Sequence, residues 1–406
     1  MTTLLLLACL QDEAPLEVFY KEGLRFRAAE AELYLSGFFR AHYRTVFDRP
    51  DDDDAPRRSV PDSAFLRQGR LDLGGTFARD WGFRVLTDFA TGTYNQPSGA
   101  GPSSTGAVLR DAWLEWKRHP EFVVRAGQFF EPCTSEELMS GRWMEFADRG
   151  APLRLMPGRE LGIEAYGTLA DGVLTYYVML AQGGGLVNDQ GRSVNDANDE
   201  KELGGLVYVR PVPGLRFGAG ASVTDVDDVP GTGFDLVTTE LSLLWLDSTA
   251  GVFDGRRRRL DVSFLAYRGP LSLRAEYLWR RDELADPAPE DELRSDGGWI
   301  SASWLVTGEE KRPDLRPIPL SGWGALEASL RVARVRVSNA FEAGLAGSGG
   351  NAERLRAWSA ALTWWHGRFL RLTAEFVREE FDEPLAFDTR SEDALSGLLF
   401  RLQIDF

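Results

Sequence analysis

The sequence predicts an all-β protein, a transmembrane up-and-down antiparallel β-barrel of about 16 strands with a constriction loop folded into its lumen. Three observations predict it. The final segment alternates: Phe406, Ile404, Leu402, Phe400 and Leu398 share one face, while Asp405, Gln403, Arg401, Leu399 and Gly397 share the other. Similar alternation recurs through most of the chain, interrupted in turn by tight turns and by long connections. And no run of about 18 apolar residues is present, which excludes a transmembrane helix. Period-2 alternation gives a strand one apolar and one polar face. A soluble sandwich would put the polar face outside. A barrel in the bacterial outer membrane puts it in the lumen and gives the apolar face to lipid. The even count of long strands favours the barrel.

Composition fits this reading. Mean hydropathy is −0.25, as for a barrel in which half of each strand faces water. Twelve Trp, 24 Phe and 10 Tyr suit aromatic girdles at two interfaces. The net charge of −16 makes nucleic acid an unsuitable partner. The expected partners are the lipid bilayer and small ions or solutes. Cys9 and Cys133 are the two cysteines, too few for a disulfide framework or a cysteine metal centre.

In chain order, residues 1–15 read as a leader. Leu6-Leu7-Ala8-Cys9 has the form of a lipoprotein cleavage box, which would make Cys9 lipidated; the other reading is the tail of a secretory signal. Residues 16–32 are expected as a periplasmic segment, and the barrel as 33–406. Connection 44–64 holds Asp51-Asp52-Asp53-Asp54, a solvated run without the spacing of a calcium loop. Tight turns follow at 79–81, 119–121, 170–172, 211–214, 268–270 and 365–367, all rich in turn formers. They alternate with long connections at 91–107, 129–160, 182–200, 225–257, 282–296 and 338–353. Even strand parity demotes 236–246 to part of an external excursion and puts 307–323 on the periplasmic side. Clean strands lie at 271–280, 324–333 and 369–377; in the last, Leu370, Leu372, Ala374 and Phe376 oppose Arg371, Thr373 and Glu375. Leu372 is therefore expected in lipid, and Thr373 at a lumen position tolerant of Arg. Connection 129–160 carries Met139, Trp143, Met144 and Phe146, which outside the barrel would meet water. It is expected inside.

Gly127-Gln-Phe-Phe-Glu-Pro132, Ser135-Glu136-Glu137-Leu138, Phe146-Ala-Asp-Arg149, Arg159-Glu-Leu-Gly162, Trp304-Leu-Val-Thr-Gly-Glu-Glu310 and the ending Leu402-Gln403…Phe406 keep one order along about residues 20–406. In these the chain resembles the phosphate-selective porin O/P family. The resemblance implies a 16-stranded homotrimeric outer-membrane porin whose loop after the fifth strand narrows the lumen. Two departures remove positive charge. Phe130 stands where the family commonly has Lys, and Arg67-Gln68-Gly69-Arg70 reduces a paired Arg-Arg.

An anion path needs guanidinium or ammonium groups in a confined lumen, and the planar fork of Arg suits phosphate. Strand parity points Arg70, Arg84, Arg125, Arg274, Arg331, Arg371 and Arg401 inward, and the loop adds Arg142, Arg149, Arg154 and Arg159. The same faces carry Asp72, Asp88, Asp111, Glu164, Glu276, Glu327, Glu375 and Asp405. Two readings stay open: an arginine ladder for anions, or a mixed, salt-bridged lumen that keeps the pore wet. The expectation is weak selectivity with a modest anion preference and no tight phosphate site. Catalytic motifs, cofactor loops and metal clusters are not found in the sequence. The alternatives to a porin are an envelope scaffold, or a hydrolase using His42; His119 and His366 fall in tight turns.

Overall fold

The alternation closes into a barrel because one face of each strand is apolar and the ladder then needs no open edge. A computed structural model describes residues 16–47, 62–90, 107–183, 199–230, 234–285, 288–312, 314–387 and 390–406. The leader 1–15 with Cys9, and the acidic run Asp51–Asp54, lie outside the described residues. Two short strands come first, β1 (Glu17–Tyr20) and β2 (Leu24–Ala28). Sixteen barrel strands follow. The first eight are β3 (Ala31–Phe47), β4 (Ser63–Phe77), β5 (Trp81–Asp88), β6 (Val108–His119), β7 (Phe122–Phe130), β8 (Arg159–Leu169), β9 (Leu174–Ala181) and β10 (Glu202–Val209). Then come β11 (Leu215–Pro230), a loop hairpin β12 (Leu236–Val237) and β13 (Leu244–Leu246), and β14 (Val252–Arg268). The set ends with β15 (Leu271–Leu284), β16 (Glu292–Leu305), β17 (Ala325–Val337), β18 (Arg354–His366), β19 (Leu370–Ala386) and β20 (Ser391–Asp405).

Each barrel strand pairs antiparallel with the next, and β20 returns to pair with β3 from Ser396↔Phe47 to Asp405↔Phe38. At this seam the Gly37 and Phe406 backbones exchange both hydrogen bonds, at 2.8 and 3.0 Å. A Cβ on Gly37 would sit 2.4 Å from the Phe406 ring, so the closure requires glycine. Residues 17–28, expected as a segment ahead of the barrel, form a hairpin whose second strand pairs with the first turn of β3, Leu24↔Leu35 to Ala28↔Ala31.

The facing assignment holds along the clean strands. Leu362, Trp358, Phe376, Leu372, Phe400 and Ile404 are exposed on the outer surface, while Thr363, Ser359, Glu375, Arg371, Arg401 and Gln403 are buried inside. All six tight turns join adjacent strands on one rim. Three expectations need correction or extension. Segment 236–246 does leave the barrel wall on the long-loop rim, yet it turns inward: Leu241, Leu243, Trp245 and Leu246 are buried in an apolar cluster with Leu155, Val337 and Val377 from the loops and inner wall. Segment 307–323 lies on the tight-turn rim but folds up, so that Lys311 reaches Glu145 and Glu327. And Thr373 is no tolerant position. It is 3% exposed and bonds Thr363 across the strands at 3.0 Å, with the loop above.

The lipid face should therefore be tested with a different control. Ala374→Arg, at an exposed outward position midway between Leu370 and Arg378 on β19, is expected to destabilise the barrel by about 2–4 kcal/mol, as for Arg near the bilayer midplane. Thr168→Arg, inward and exposed near the tight-turn rim, should change stability by less than about 1 kcal/mol. Urea titration of protein refolded into lipid vesicles measures both.

Candidate functional site

The lumen is built around the connection between β7 and β8. At its start Gly127 has φ 132°, and a Cβ there would fall 2.2 Å from the Ala112 carbonyl oxygen. Only glycine permits this close approach. The Gln128 amide caps the neighbouring irregularity on β6, where the register against β5 shifts, donating to the Leu109 and Arg110 carbonyls at 2.9 and 2.7 Å. The chain then enters the barrel as a one-turn helix, α1 (Ser135–Leu138), followed by short 3-10 turns at Gly141–Trp143 and Ala151–Leu155. Met139, Met144, Phe146 and Leu155 are buried, as the apolar content of the segment predicts.

Irregular backbone needs hydrogen-bond partners, and inside the barrel charged wall side chains supply them. Glu276 on β15 accepts the N–H groups of Ser135 and Glu136, at 2.6 and 3.1 Å. Glu375 on β19 accepts the Ala147 N–H at 2.6 Å. Arg331 on β17 donates to the Asp148 carbonyl at 3.1 Å, and Arg371 on β19 to the Arg142 carbonyl at 3.2 Å. Arg401 on β20 donates to the Phe146 and Gly141 carbonyls, each at 3.0 Å. Arg40 on β3 also donates to Gly141. Within the loop, Arg149 donates to the carbonyls of Glu137 and Met139, closing the end of α1.

These contacts divide the arginines that strand parity groups together. Arg331 points inward but ends beneath the loop, 3% exposed at its side chain, 2.5 Å from Glu240 and stacked 4.2 Å from the Phe146 ring. Arg274 is likewise covered, between Glu145 at 3.2 Å and Asp314 at 3.2 Å. Both hold the loop rather than an open surface. Of the loop arginines, Arg142 lies 3.6 Å from Asp405, Arg149 is spent on carbonyls, and Arg154 is half-buried in the second 3-10 turn. Arg159 bonds Asp111 at 2.5 Å and lies over the Phe130 ring at 3.5 Å; Arg149 lies 5.6 Å from the same ring. Phe130 has thus lost a charge of its own and gathers two others.

On β4–β7 the geometry differs. Arg70 bonds Asp88 at 2.8 Å, Arg84 bonds Asp72 and Asp111 at 2.7 and 2.9 Å, and Arg125 bonds Glu115 and Glu164 at 3.0 and 3.1 Å. Arg67 joins them by bonding Asp148 of the loop at 2.8 Å. In every one of these pairs the guanidinium is the more exposed member. Arg84 is 31% exposed against 5% for Asp111, and Arg125 is 20% against 1% for Glu164. The acids anchor the row from behind and the cations present it. Trp113 and Tyr166 rings stack on Arg125 at 4.3 and 4.7 Å, fixing its plane.

The loop's own charge also depends on burial. Four arginines face six acids by sequence: Glu131, Glu136, Glu137, Glu145, Asp148 and Glu160. Burial pushes the Glu137 carboxyl up to about 8, against the pull of Arg149 and Arg159. Burial and then the neighbouring Glu276 raise Glu136, and burial with Glu202 nearby raises Glu131 further. Glu145 behaves oppositely: burial would raise it, but Arg274 and Lys311 hold it well below the ordinary range. These three raised carboxyls leave the loop less negative than its sequence sum, since guanidinium does not lose its proton.

Sequence reasoning missed Arg40, Glu240, Lys311 and Asp314. Each makes a contact distant along the chain: Arg40 to Gly141, Glu240 to Arg331, Lys311 to Glu145, and Asp314 to Arg216 and Arg274. Parity could have flagged Arg40 as inward; nothing local signals Glu240. His42 is 2% exposed, edge-on to Phe65 at 5.6 Å. Glu131, Cys133 and Glu202 bring possible ligand atoms within 4.8 Å of one another. Within this group, Glu202 is already ion-paired with Arg259 at 2.6 Å.

Comparison with known proteins places this architecture. The family model for phosphate-selective porin O and P matches residues 40–406. Porin O of Pseudomonas aeruginosa is 21% identical, over 97% of this chain and 93% of its own length. Among solved structures, OprB of Pseudomonas putida aligns with a TM-score of 0.60 at 10% identity, covering 92% of this chain and 94% of its own. The trimer form of OmpT, an outer membrane protein of Vibrio cholerae, aligns at 0.57 and 10% identity, covering 93% of this chain and 100% of its own.

Arg331 gives a direct test of how the loop is held. Arg331→Gln leaves Glu240 and its neighbours with a buried charge uncompensated and should cost about 3–5 kcal/mol. The loop should then become cleavable by trypsin near Arg142 in the folded barrel. Digestion of detergent-folded wild type and variant, followed by mass analysis, checks this; equal resistance would show that the other wall contacts suffice.

Proposed function

The chain belongs to the phosphate-selective porin O and P family and is a porin of the bacterial outer membrane; from that premise we propose that it passes small hydrophilic solutes with a modest preference for anions. The observation that supports the preference is the exposure order on β4–β7. Arg67, Arg70, Arg84 and Arg125 meet the lumen while their carboxylate partners are covered. Fixed cations at a narrow passage set selectivity where screening by bulk salt is weakest. Burial, which favours the neutral form of Glu131, Glu136 and Glu137, acts in the same direction. The total charge of −16 does not decide the matter, because conduction follows the groups on the path rather than the sum.

The same pairs argue against tight phosphate binding. Each guanidinium is already bonded to a carboxylate, often through two nitrogens, as Arg84 is to Asp72. A phosphate would have to compete for the fork that makes Arg suited to it. The lumen therefore reads as a salt-bridged wall whose cations face inward, combining the two readings that the sequence left open. A trimeric state, as in the trimer form of Vibrio cholerae OmpT, belongs to the same proposal.

Three measurements test it. Reversal potentials across a bilayer under a KCl gradient should show chloride favoured, and Arg84→Gln with Arg125→Gln should move the potential toward cation selectivity. Chloride conductance should fall little when millimolar phosphate is added; a half-block at micromolar phosphate would establish a tight site instead. The third measurement uses pH. A carboxyl raised to about 8 is neutral below that pH and ionised above it. Anion preference should therefore decline between about pH 6 and about pH 9, and Glu137→Gln should flatten the change. The raised value also means that Glu137 penalises folding progressively as pH rises from its ordinary value toward 8.

A further inference from the structure

The outward face of the barrel carries charge in one place where membrane strands seldom do. Arg334 and Arg356 lie directly opposite each other across β17–β18, and Arg336 and Arg354 do so one row nearer the long-loop rim. Arg281 and Arg294 repeat the arrangement across β15–β16. Like charges directly opposite on one sheet face repel. Neighbouring acids relieve only part of this. Asp296 bonds Arg336 at 2.7 Å, and Asp382 lies 3.6 Å from Arg354. Glu380 is opposite Arg356 but is bonded to Arg378 at 2.9 Å. Arg334 and Arg356 are exposed and form no hydrogen bond or ion pair among the described residues.

Below them, toward the tight-turn rim, the same face turns apolar. Past the exposed Trp358 the outer surface hollows into a groove of about 920 Å³, floored by Ala302, Ala328 and Ala360 and walled by Leu330, Leu362 and Phe376. Ala360 is four residues from Arg356, roughly 13 Å along the strand. Cations thus stand at the top of a lipid-facing apolar groove. On the other side of the barrel the external half of β3–β10 presents uncharged residues outward, such as Tyr43, Leu109, Leu161 and Leu203.

We propose that this face of β15–β19 binds a phosphorylated glycolipid of the outer leaflet, its phosphates between Arg334 and Arg356 and an acyl chain in the groove. The guanidinium forks match phosphate oxygens, and the row lies where the apolar band gives way to headgroups. A second copy of the chain fits less well. Its uncharged β3–β10 face would bury these arginines without neutralising them.

The test uses the full-length barrel purified in mild detergent, with native mass spectrometry to count bound lipid. The probes are a diphosphorylated disaccharide lipid with several acyl chains and its dephosphorylated form. Wild type should hold the phosphorylated lipid at least roughly tenfold more tightly. Arg334→Gln with Arg356→Gln should remove that difference, while Arg334→Lys with Arg356→Lys should retain part of it. Single-channel conductance of each variant, expected unchanged, certifies the fold and keeps the outcome separate from the porin function. Equal binding of the two lipids by wild type, or undiminished preference in the Gln variant, would overturn the proposal. So would displacement of the lipid by excess inorganic phosphate, which would point to a free-anion site, or a switch from oligomer to monomer in the Gln variant, which would assign the face to subunit contact.

Discussion

Backbone without a ladder cannot sit inside a membrane barrel unless each N–H and C=O finds a partner, and most of the lumen follows from that constraint. The 131–158 connection is irregular and has few internal bonds of its own. Its partners come from the wall: Glu276 and Glu375 accept its amides, and Arg331, Arg371 and Arg401 cap its carbonyls. A wall of neutral side chains could accept or donate too, but charged partners form stronger hydrogen bonds. Once such charges are buried they need counter-charges, which is why Glu240 arrives from a second inward loop to meet Arg331. The apolar cluster around Leu241, Trp245 and Leu155 then packs the two loops against each other.

The same constraint separates structure from selectivity. Arginines consumed by loop carbonyls are withdrawn from the solute. Those on β4–β7 that face the path are anchored by carboxylates seated behind them. One residue type therefore does two jobs in one lumen, and strand parity cannot distinguish them. What distinguishes them is coverage by residues distant in sequence. Phe130 shows how a local substitution can mislead. Replacing a family Lys by Phe reads as lost charge, yet the ring draws Arg159 and Arg149 over its face.

Strands, their facing and the inward course of the 129–160 connection were legible in the chain because they rest on short-range facts. Leu370, Leu372, Ala374 and Phe376 repeat every second residue, and a loop bearing Met139, Met144 and Phe146 has nowhere else to put them. Even the demotion of 236–246 followed from parity. That it turns inward did not, since the burial of Leu241 and Leu243 depends on Leu155 and Val377. Thr373 failed for the same reason: period 2 says that it points into the lumen but not what it meets there. Lys311 and Asp314 sit in a Pro-rich connection whose rim was predictable and whose upward fold was not.

The β3–β20 seam has a consequence in time rather than in space. It joins Phe39 to Ile404 and Phe38 to Asp405, the first and last barrel strands in chain order. During synthesis no partial product can close, and every intermediate carries two unpaired ladders, one on β3 and one on the newest strand. Contacts of such sequence separation form slowly and leave edges open to wrong partners in the meantime. β20 must be made, and the chain must be kept apart from its neighbours, before Gly37 and Phe406 can meet.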